Sequence, residues 1–334
     1  MKKVLLSGAA ILAMTAGAAQ AEGLSLDLGG HFKGYGIYND DDAASSRDTL
    51  WRQESEVHFT GETTLDSGLT VGVHVEVDTD GDADGFEVDE SYVYFSGGFG
   101  RVNAGREDGA AYLLQVAAPS ADSNVDGLRQ YISSYSGGAI DYAQDAAEEA
   151  NKATYMTPVF NGFQMGASYT FAVADSASGT APVQADNNAG LDNGYEVAAR
   201  YEGAFEGVGV AFGAGYGDYS GEQTNTDLDQ WNVGLDLDFA GFGLGAAYTE
   251  TDDEAAADEV ETLVVGADYQ LGAYKLGASW LNQDNGTNDL DRYTVGAGYS
   301  YGPGMSFRGS VSMIDSDATD ADSTQVLLGT QVNF

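Results

Sequence analysis

The chain has 334 residues, with 13 Lys and Arg against 53 Asp and Glu, a formal net charge of −40, no cysteine, 46 glycines and only 4 prolines. Such an acidic surface excludes binding to a nucleic acid backbone, and the lack of cysteine excludes disulfides and thiolate metal sites. Beyond the first residues no segment approaches 18 uninterrupted apolar residues, which excludes helical membrane spans but not strand spans, because a strand crosses with about ten residues of alternating polarity.

Residues 1–21, MKKVLLSGAAILAMTAGAAQA, set Lys2 and Lys3 ahead of an apolar run and end on Ala19-Gln20-Ala21. This is the layout of a secretory signal peptide cleaved after Ala21, leaving residues 22–334 as the mature domain. From there, alternation with a period of two predominates. In EVHFTGETTL, Val57, Phe59 and Leu65 form one row and Glu56, His58 and Glu62 the other; after Asp66-Ser67-Gly68, Val71, Val73, Val75 and Val77 alternate with His74, Glu76 and Asp78. The pattern predicts an antiparallel hairpin with an apolar face and an acidic one.

Further hairpins are expected at Gly97 to Gly100, Pro158 to Gly162, Gly203 to Gly207, Ala240 to Phe242, Gln270 to Gly272 and Tyr301 to Gly304. They alternate with longer acidic connections at 40–49, 79–87, 174–193, 218–229, 252–259, 282–291 and 315–322. The spacing predicts an all-β, 16-stranded antiparallel transmembrane β-barrel with both termini on the short-turn side. Trp51, Tyr195, Tyr216, Trp231, Tyr248, Trp280 and Tyr293 fall at the long-loop ends, and Tyr201, Phe239, Tyr269, Tyr299 and Phe334 at the turn ends, as expected of interfacial girdles. The opposite rows carry Glu54, Glu56, Glu62, Asp78, Glu196, Arg200, Asp236, Asp238, Asp268 and Arg308. So many charges cannot be buried dry, so the interior holds water and the barrel is a channel.

One connection breaks the plan, from about 108 to 151. Its Ala110-Ala111-Tyr112-Leu113-Leu114 and Tyr131-Ile132 argue against disorder and for packing on the inner wall. The flanking runs GGFGRVNAGREDGAAY and NKATYMTPVFNGFQMGASYTF, with G-R-x-D at Gly105 to Asp108 and the terminal Phe334, resemble the general diffusion porins of Gram-negative outer membranes, most closely the alphaproteobacterial type. The resemblance covers essentially the whole mature chain. It implies a homotrimer in outer-membrane lipid and lipopolysaccharide, a third loop folded into each pore, passive diffusion of small hydrophilic solutes, and recognition of Phe334 by the barrel-assembly machinery. It also implies acids on that loop facing a basic wall. Asp122 and Asp126, then Asp141 and Asp145, are the loop candidates; by parity Lys33, Arg52, His58, His74 and Arg101 point to the lumen. Arginine is scarce on this wall and Glu54 and Glu56 interrupt it, which favours cations. Arg106 shares the parity of Val102 and Ala104 and is assigned to a subunit contact.

Residues 80–91, DGDADGFEVDES, nearly match a calcium loop, with Asp80, Asp82 and Asp84 in place but Glu90 one residue early and no flanking helices. No cofactor is required; calcium held by acidic loops is the candidate ion. If Leu65 pairs with Leu69, His58 and His74 become diagonal neighbours, for which the plain reading is pore-lining histidines; a zinc site would need further ligands, and Glu76 could contribute. The many glycines within strands read as bends or close backbone approach. A substrate-specific outer-membrane channel and a barrel hydrolase are the alternatives; the latter lacks a histidine in any acidic long loop.

Overall fold

A computed structural model describes residues 25–41, 47–79, 87–133, 135, 140–171, 173, 191–221, 226–256, 259–317 and 322–334. The signal peptide expected at 1–21 and the aspartates Asp80, Asp82 and Asp84 lie outside them. Sixteen strands follow in chain order. The first half comprises β1 (Ser25–Asp41), β2 (Thr49–Thr64), β3 (Thr70–Asp78), β4 (Glu87–Gly97), β5 (Gly100–Arg106), β6 (Asn151–Met156), β7 (Phe163–Thr170) and β8 (Leu191–Phe205). The second comprises β9 (Val208–Gly221), β10 (Leu228–Phe239), β11 (Phe242–Asp253), β12 (Val260–Leu271), β13 (Tyr274–Asp284), β14 (Asp289–Gly302), β15 (Met305–Ser316) and β16 (Ser323–Asn333).

Each strand pairs antiparallel with its neighbours in sequence, and β1 pairs with β16, so the sheet closes without an edge. The seam runs from His31 opposite Asn333 to Asp41 opposite Ser323. Gly30 and Phe334 complete it by exchanging two main-chain hydrogen bonds, both of 3.0 Å. A Cβ at Gly30 would meet the backbone of Glu56 and the Phe334 ring, so the missing side chain is what lets the terminal aromatic close down on β1. The last strand keeps its two rows: Leu328 and Phe334 are 67% and 63% exposed on the outside, whereas Gln325 and Leu327 are buried inside.

Two-residue turns set the register at one rim. Asn161-Gly162, Glu206-Gly207 and Ala240-Gly241 all have positive φ at both residues (50° and 88°, 50° and 88°, 53° and 92°), the geometry whose twist matches that of the flanking strands. β8 therefore continues to Phe205, and the expected Gly203 to Gly207 turn shrinks to Glu206-Gly207. Exposed and half-buried aromatics pair across strands at both rims. Tyr195 with Tyr216 (6.4 Å between ring centres) and Trp231 with Tyr248 (5.0 Å) lie at the long-loop end. Phe163 with Tyr201 (4.6 Å), Phe242 with Tyr269 (4.4 Å) and Tyr274 with Tyr299 (4.8 Å) lie at the turn end. Rings with an apolar body and a polar tip settle where hydrocarbon meets water.

Ala240, like Glu206, is poorly suited to its turn position, since a Cβ in the left-handed region costs roughly 1–2 kcal/mol that asparagine largely avoids. Ala240→Asn should raise stability by about 1 kcal/mol, read as a higher urea midpoint for loss of the compact barrel band on unheated gels. An unchanged or lower midpoint would contradict the turn assignment.

Candidate functional site

Between β5 and β6 the chain leaves the wall at Glu107 and returns at Asn151, and Arg106 and Asn151 are direct partners in the sheet. The intervening segment is therefore an excursion that the barrel does not need for its own continuity. It carries two single helical turns, α1 (Ala110–Leu113) and α2 (Ser123–Asp126). α1 is pinned at its start: Ala110 N–H donates to Ser168 Oγ (2.7 Å) and Ala111 N–H to Glu196 Oε2 (3.0 Å), while Tyr219 donates to Glu196 Oε1 (2.5 Å).

From Leu114 to Ala121 the segment lies flat on a track of glycines that crosses β9 to β14. Three pairs sit directly opposite one another in the sheet: Gly213 with Gly234, Gly245 with Gly266 and Gly277 with Gly296. A Cβ at Gly213 would lie 2.8 Å from the Leu114 carbonyl oxygen, and one at Gly277 2.5 Å from the Ala121 nitrogen. At Gly234 and Gly266 it would collide with the carbonyl oxygens of Val116 and Pro119. Real Cβ atoms do not approach this closely, so any side chain on the track would lift the loop. Close backbone approach, one of the two readings of these glycines in the sequence, is what the structure shows.

Beyond the track, α2 is clamped by charge. Asp122 caps it, accepting from Asn124 N–H (3.1 Å), and also accepts from Tyr35 Oη (2.8 Å) and Arg308 Nη1 (2.8 Å). Asp126 pairs with Arg292 Nε (3.0 Å) and accepts from Ser279 Oγ (2.7 Å) and Thr294 Oγ1 (3.2 Å). Two apolar clusters close over these polar contacts. Val125 and Ile132 pack on Tyr35, Ile37 and Leu327; Ala118, Tyr135, Ile140 and Tyr142 pack on Ala247, Val264, Leu281 and Ile314. Burying a polar segment on a wall is favourable only if its groups are paired; the carboxylates of Asp122 and Asp126 are, whereas Gln130 Nε2 and Arg292 Nη2 are buried without a hydrogen-bond partner.

Asp122 and Asp126 are each 1% exposed. Of the loop acids expected to face a basic wall, these two do meet wall arginines, Arg308 and Arg292, but in direct buried contact and not across open water. The loop's rim carries the other two loop candidates, Asp141 and Asp145, together with Asp108 and Glu149. Arg129 pairs with Asp108 (2.6 Å), Asp145 (2.8 Å) and Glu149 (3.1 Å) and stacks over Tyr112 at 4.2 Å. Burial pushes the Asp108 carboxyl up to about 7 against the pull of Arg129. Burial, reinforced by Asp145, pushes Asp141 up to about 6. Tyr131 covers Lys33, whose ammonium lies 3.6 Å from the ring centre.

On the neighbouring wall Lys33 pairs with Glu54 (2.5 Å), and His58 and His74 sit among Glu56 and Glu76. Arg101 stacks on Tyr94 at 4.0 Å, and Tyr94 donates to Glu62 (2.6 Å). Arg52 is exposed, opposite Tyr35 in the sheet. Arg106 keeps its outward parity and donates from Nη1 to the Val88 carbonyl (2.7 Å). Glu90 accepts a 3.4 Å hydrogen bond from Asp108 N–H at the loop's root. His31, Arg129, Lys152 and Arg292 are not among the residues singled out in the sequence; strand parity alone carries the signal for His31, Lys152 and Arg292.

The family model described as Gram-negative porin matches residues 8–319. None of the curated proteins matches the chain by sequence. Among solved structures, a porin refined at 1.8 Å resolution aligns with 21% identity and a TM-score of 0.67. The anion-selective porin of Comamonas acidovorans aligns with 19% identity and 0.66, and a triple mutant of Rhodopseudomonas blastica porin with 20% and 0.63. Each alignment covers 93% of this chain and all of the other. At these identities the likeness is one of fold.

Gly266→Val tests the track. Valine suits a strand, so the barrel should form while the loop is displaced. Arg129 is the one basic residue in 107–150, and trypsin should cut the folded variant there while sparing the unaltered protein. Equal resistance of the two would contradict the seating.

Proposed function

Since the chain belongs to the Gram-negative porin family, whose members are outer-membrane channels and not enzymes, we propose that it is a trimeric, cation-preferring pore for passive diffusion of small hydrophilic solutes. The observation that carries this reading is the contrast between the two faces of one closed sheet. Its outer face is apolar and rimmed by aromatics, and its inner face holds Glu54, Glu56, Glu62 and Glu76 beside few fixed cations. A wall of this kind is compatible with hydrocarbon outside and water inside.

The cation preference rests on how the charges are spent. Arg292 and Arg308 are consumed by Asp126 and Asp122, Arg200 by Glu202, and Lys33 by Glu54. The basic groups nearest Glu56 and Glu76 are imidazoles, and among the described residues no Lys or Arg lies within 4.0 Å of either carboxylate. The open part of the lumen is thus net negative, the reverse of what an anion-selective pore needs. Trimerisation is supported by the low wall at β5, β6 and β7, which have 7, 6 and 8 residues. A strand needs about 9–11 residues to span hydrocarbon, so this sector suits a neighbouring subunit better than lipid, and Arg106 lies in it on the outward face. The exposure of Phe334 at the turn end supports its reading as the signal for the assembly machinery.

Reconstitution in planar bilayers with a salt gradient tests the reading. The reversal potential should show cations favoured over anions, and replacing Glu54, Glu56 and Glu76 together with Gln should bring the permeability ratio towards unity. Absence of conductance, or anion preference in the unaltered protein, would refute it.

A further inference from the structure

All three histidines of the chain meet on one stretch of the lumen: His31 on β1, His58 on β2 and His74 on β3. The register sets His31 opposite Glu56 and His58 opposite Glu76, so imidazoles and carboxylates alternate along a diagonal. Successive imidazole ring centres are 5.8 Å and 5.8 Å apart. His58 Nε2 lies 2.9 Å from Glu56 Oε2, and His31 Nδ1 lies 3.7 Å from the same oxygen. One ligand atom from each of His31, Glu56 and His58 can be chosen so that all lie within 4.8 Å of one another.

We propose that His31, Glu56 and His58 bind one divalent transition-metal ion of the imidazole-preferring class, zinc, copper or nickel, inside the pore. Ligand atoms bound tetrahedrally at about 2.0–2.1 Å from zinc stand roughly 3.3 Å from each other, and the separations of 2.9 and 3.7 Å bracket that edge. Two nitrogens and one carboxylate oxygen are a donor set that zinc and copper accept and that magnesium and calcium do not favour. The far side of each ring is already held. His31 Nε2 lies 2.5 Å from Glu54 Oε1, itself paired with Lys33, and His58 Nδ1 lies 3.4 Å from Glu76 Oε1. A carboxylate behind a ligating imidazole fixes its tautomer and raises its basicity. The side chains of His31, Glu56 and His58 are 14%, 13% and 27% exposed, sheltered yet open to the lumen, so the fourth position on the ion is left for water or a passing solute. Among the described residues, the basic groups within 4.0 Å of Glu56 are imidazoles alone, so no Lys or Arg competes with a divalent ion for its carboxylate.

Glu76 with His58 and His74 forms a second triad of the same composition. Its His74 is backed only by the Thr60 hydroxyl, 2.7 Å from Nδ1, and both triads draw on His58. The ion is therefore assigned to the triad backed by carboxylates.

Calorimetric titration of the untagged, folded protein with zinc chloride tests the assignment without relying on conduction. One zinc per chain is expected to bind. His58→Asn and His31→Asn should each weaken it by about tenfold or more, and Glu54→Gln by roughly tenfold, as loss of a carboxylate behind a ligand does. His74→Asn should change it by less than about threefold, because it removes no ligand of the assigned triad. Zinc binding unaffected by His58→Asn, or more sensitive to His74→Asn than to His31→Asn, would overturn the proposal. Should the variants fail to fold, copper loaded into the unaltered protein gives an independent reading: nitrogen hyperfine splitting from two imidazoles is expected in its paramagnetic resonance spectrum, and its absence would also overturn the proposal.

Discussion

The geometry of this pore depends on one close approach, the segment from Leu114 to Ala121 lying against six glycines on consecutive strands, four of them met by its backbone. A sheet face normally presents a side chain at every second residue, which would hold another chain about 10 Å away. Removing Cβ atoms along one diagonal makes a groove as deep as a side chain, and the loop fills it. Its outward groups are then free to meet water, and its inward groups are matched to the wall. Everything else about the site follows from where that groove points the loop. α2 arrives at the arginines of β14 and β15, and Arg129 with its acids is left on the rim beside Lys33 and the histidines of β1 to β3.

The seating also explains how charge is divided. A buried carboxylate left unpaired would cost several kcal/mol or be neutralised. Asp122 and Asp126 each meet an arginine and at least one hydroxyl. These contacts fix the loop and withdraw two arginines from the water-filled space. What remains exposed to solutes is a wall in which carboxylates outnumber permanent cations. In the proposed reading, anchoring and cation preference are opposite uses of the same acidic composition, one satisfied within the protein and the other left for mobile ions.

Much of the barrel was legible because period-two alternation and turn chemistry are local. Strand number, the alternation of short and long connections, the seam between first and last strands and the diagonal neighbours His58 and His74 follow from parity and loop spacing. The resemblance carried by Gly105 to Asp108 and by Phe334 pointed to the family that the wider match then showed. What local patterns could not reveal is which inward residues the loop would cover. Asp122 and Asp126 read as pore-facing acids because nothing in their neighbourhood mentions Arg308 and Arg292, which lie 186 and 166 positions further along. His31 was passed over for a similar reason: its partners come from the next strand, and only the register that pairs it with Glu56 brings the three histidines together. The glycines were conspicuous, but their function as a track depends on the opposition of strands, a property of the sheet and not of any one strand.

The central claim is that the segment from 107 to 150 is an insert that narrows an otherwise self-sufficient barrel. Since Arg106 and Asn151 already face each other in the sheet, a short turn can join them directly. The most direct test is the conductance, together with the rate of sugar entry into liposomes, of a protein in which that segment is replaced by such a turn. The account predicts a barrel that still folds and conducts, with larger single-channel conductance and faster entry of larger sugars. Conductance and sugar entry equal to those of the intact protein, in a variant shown to be folded, would contradict it.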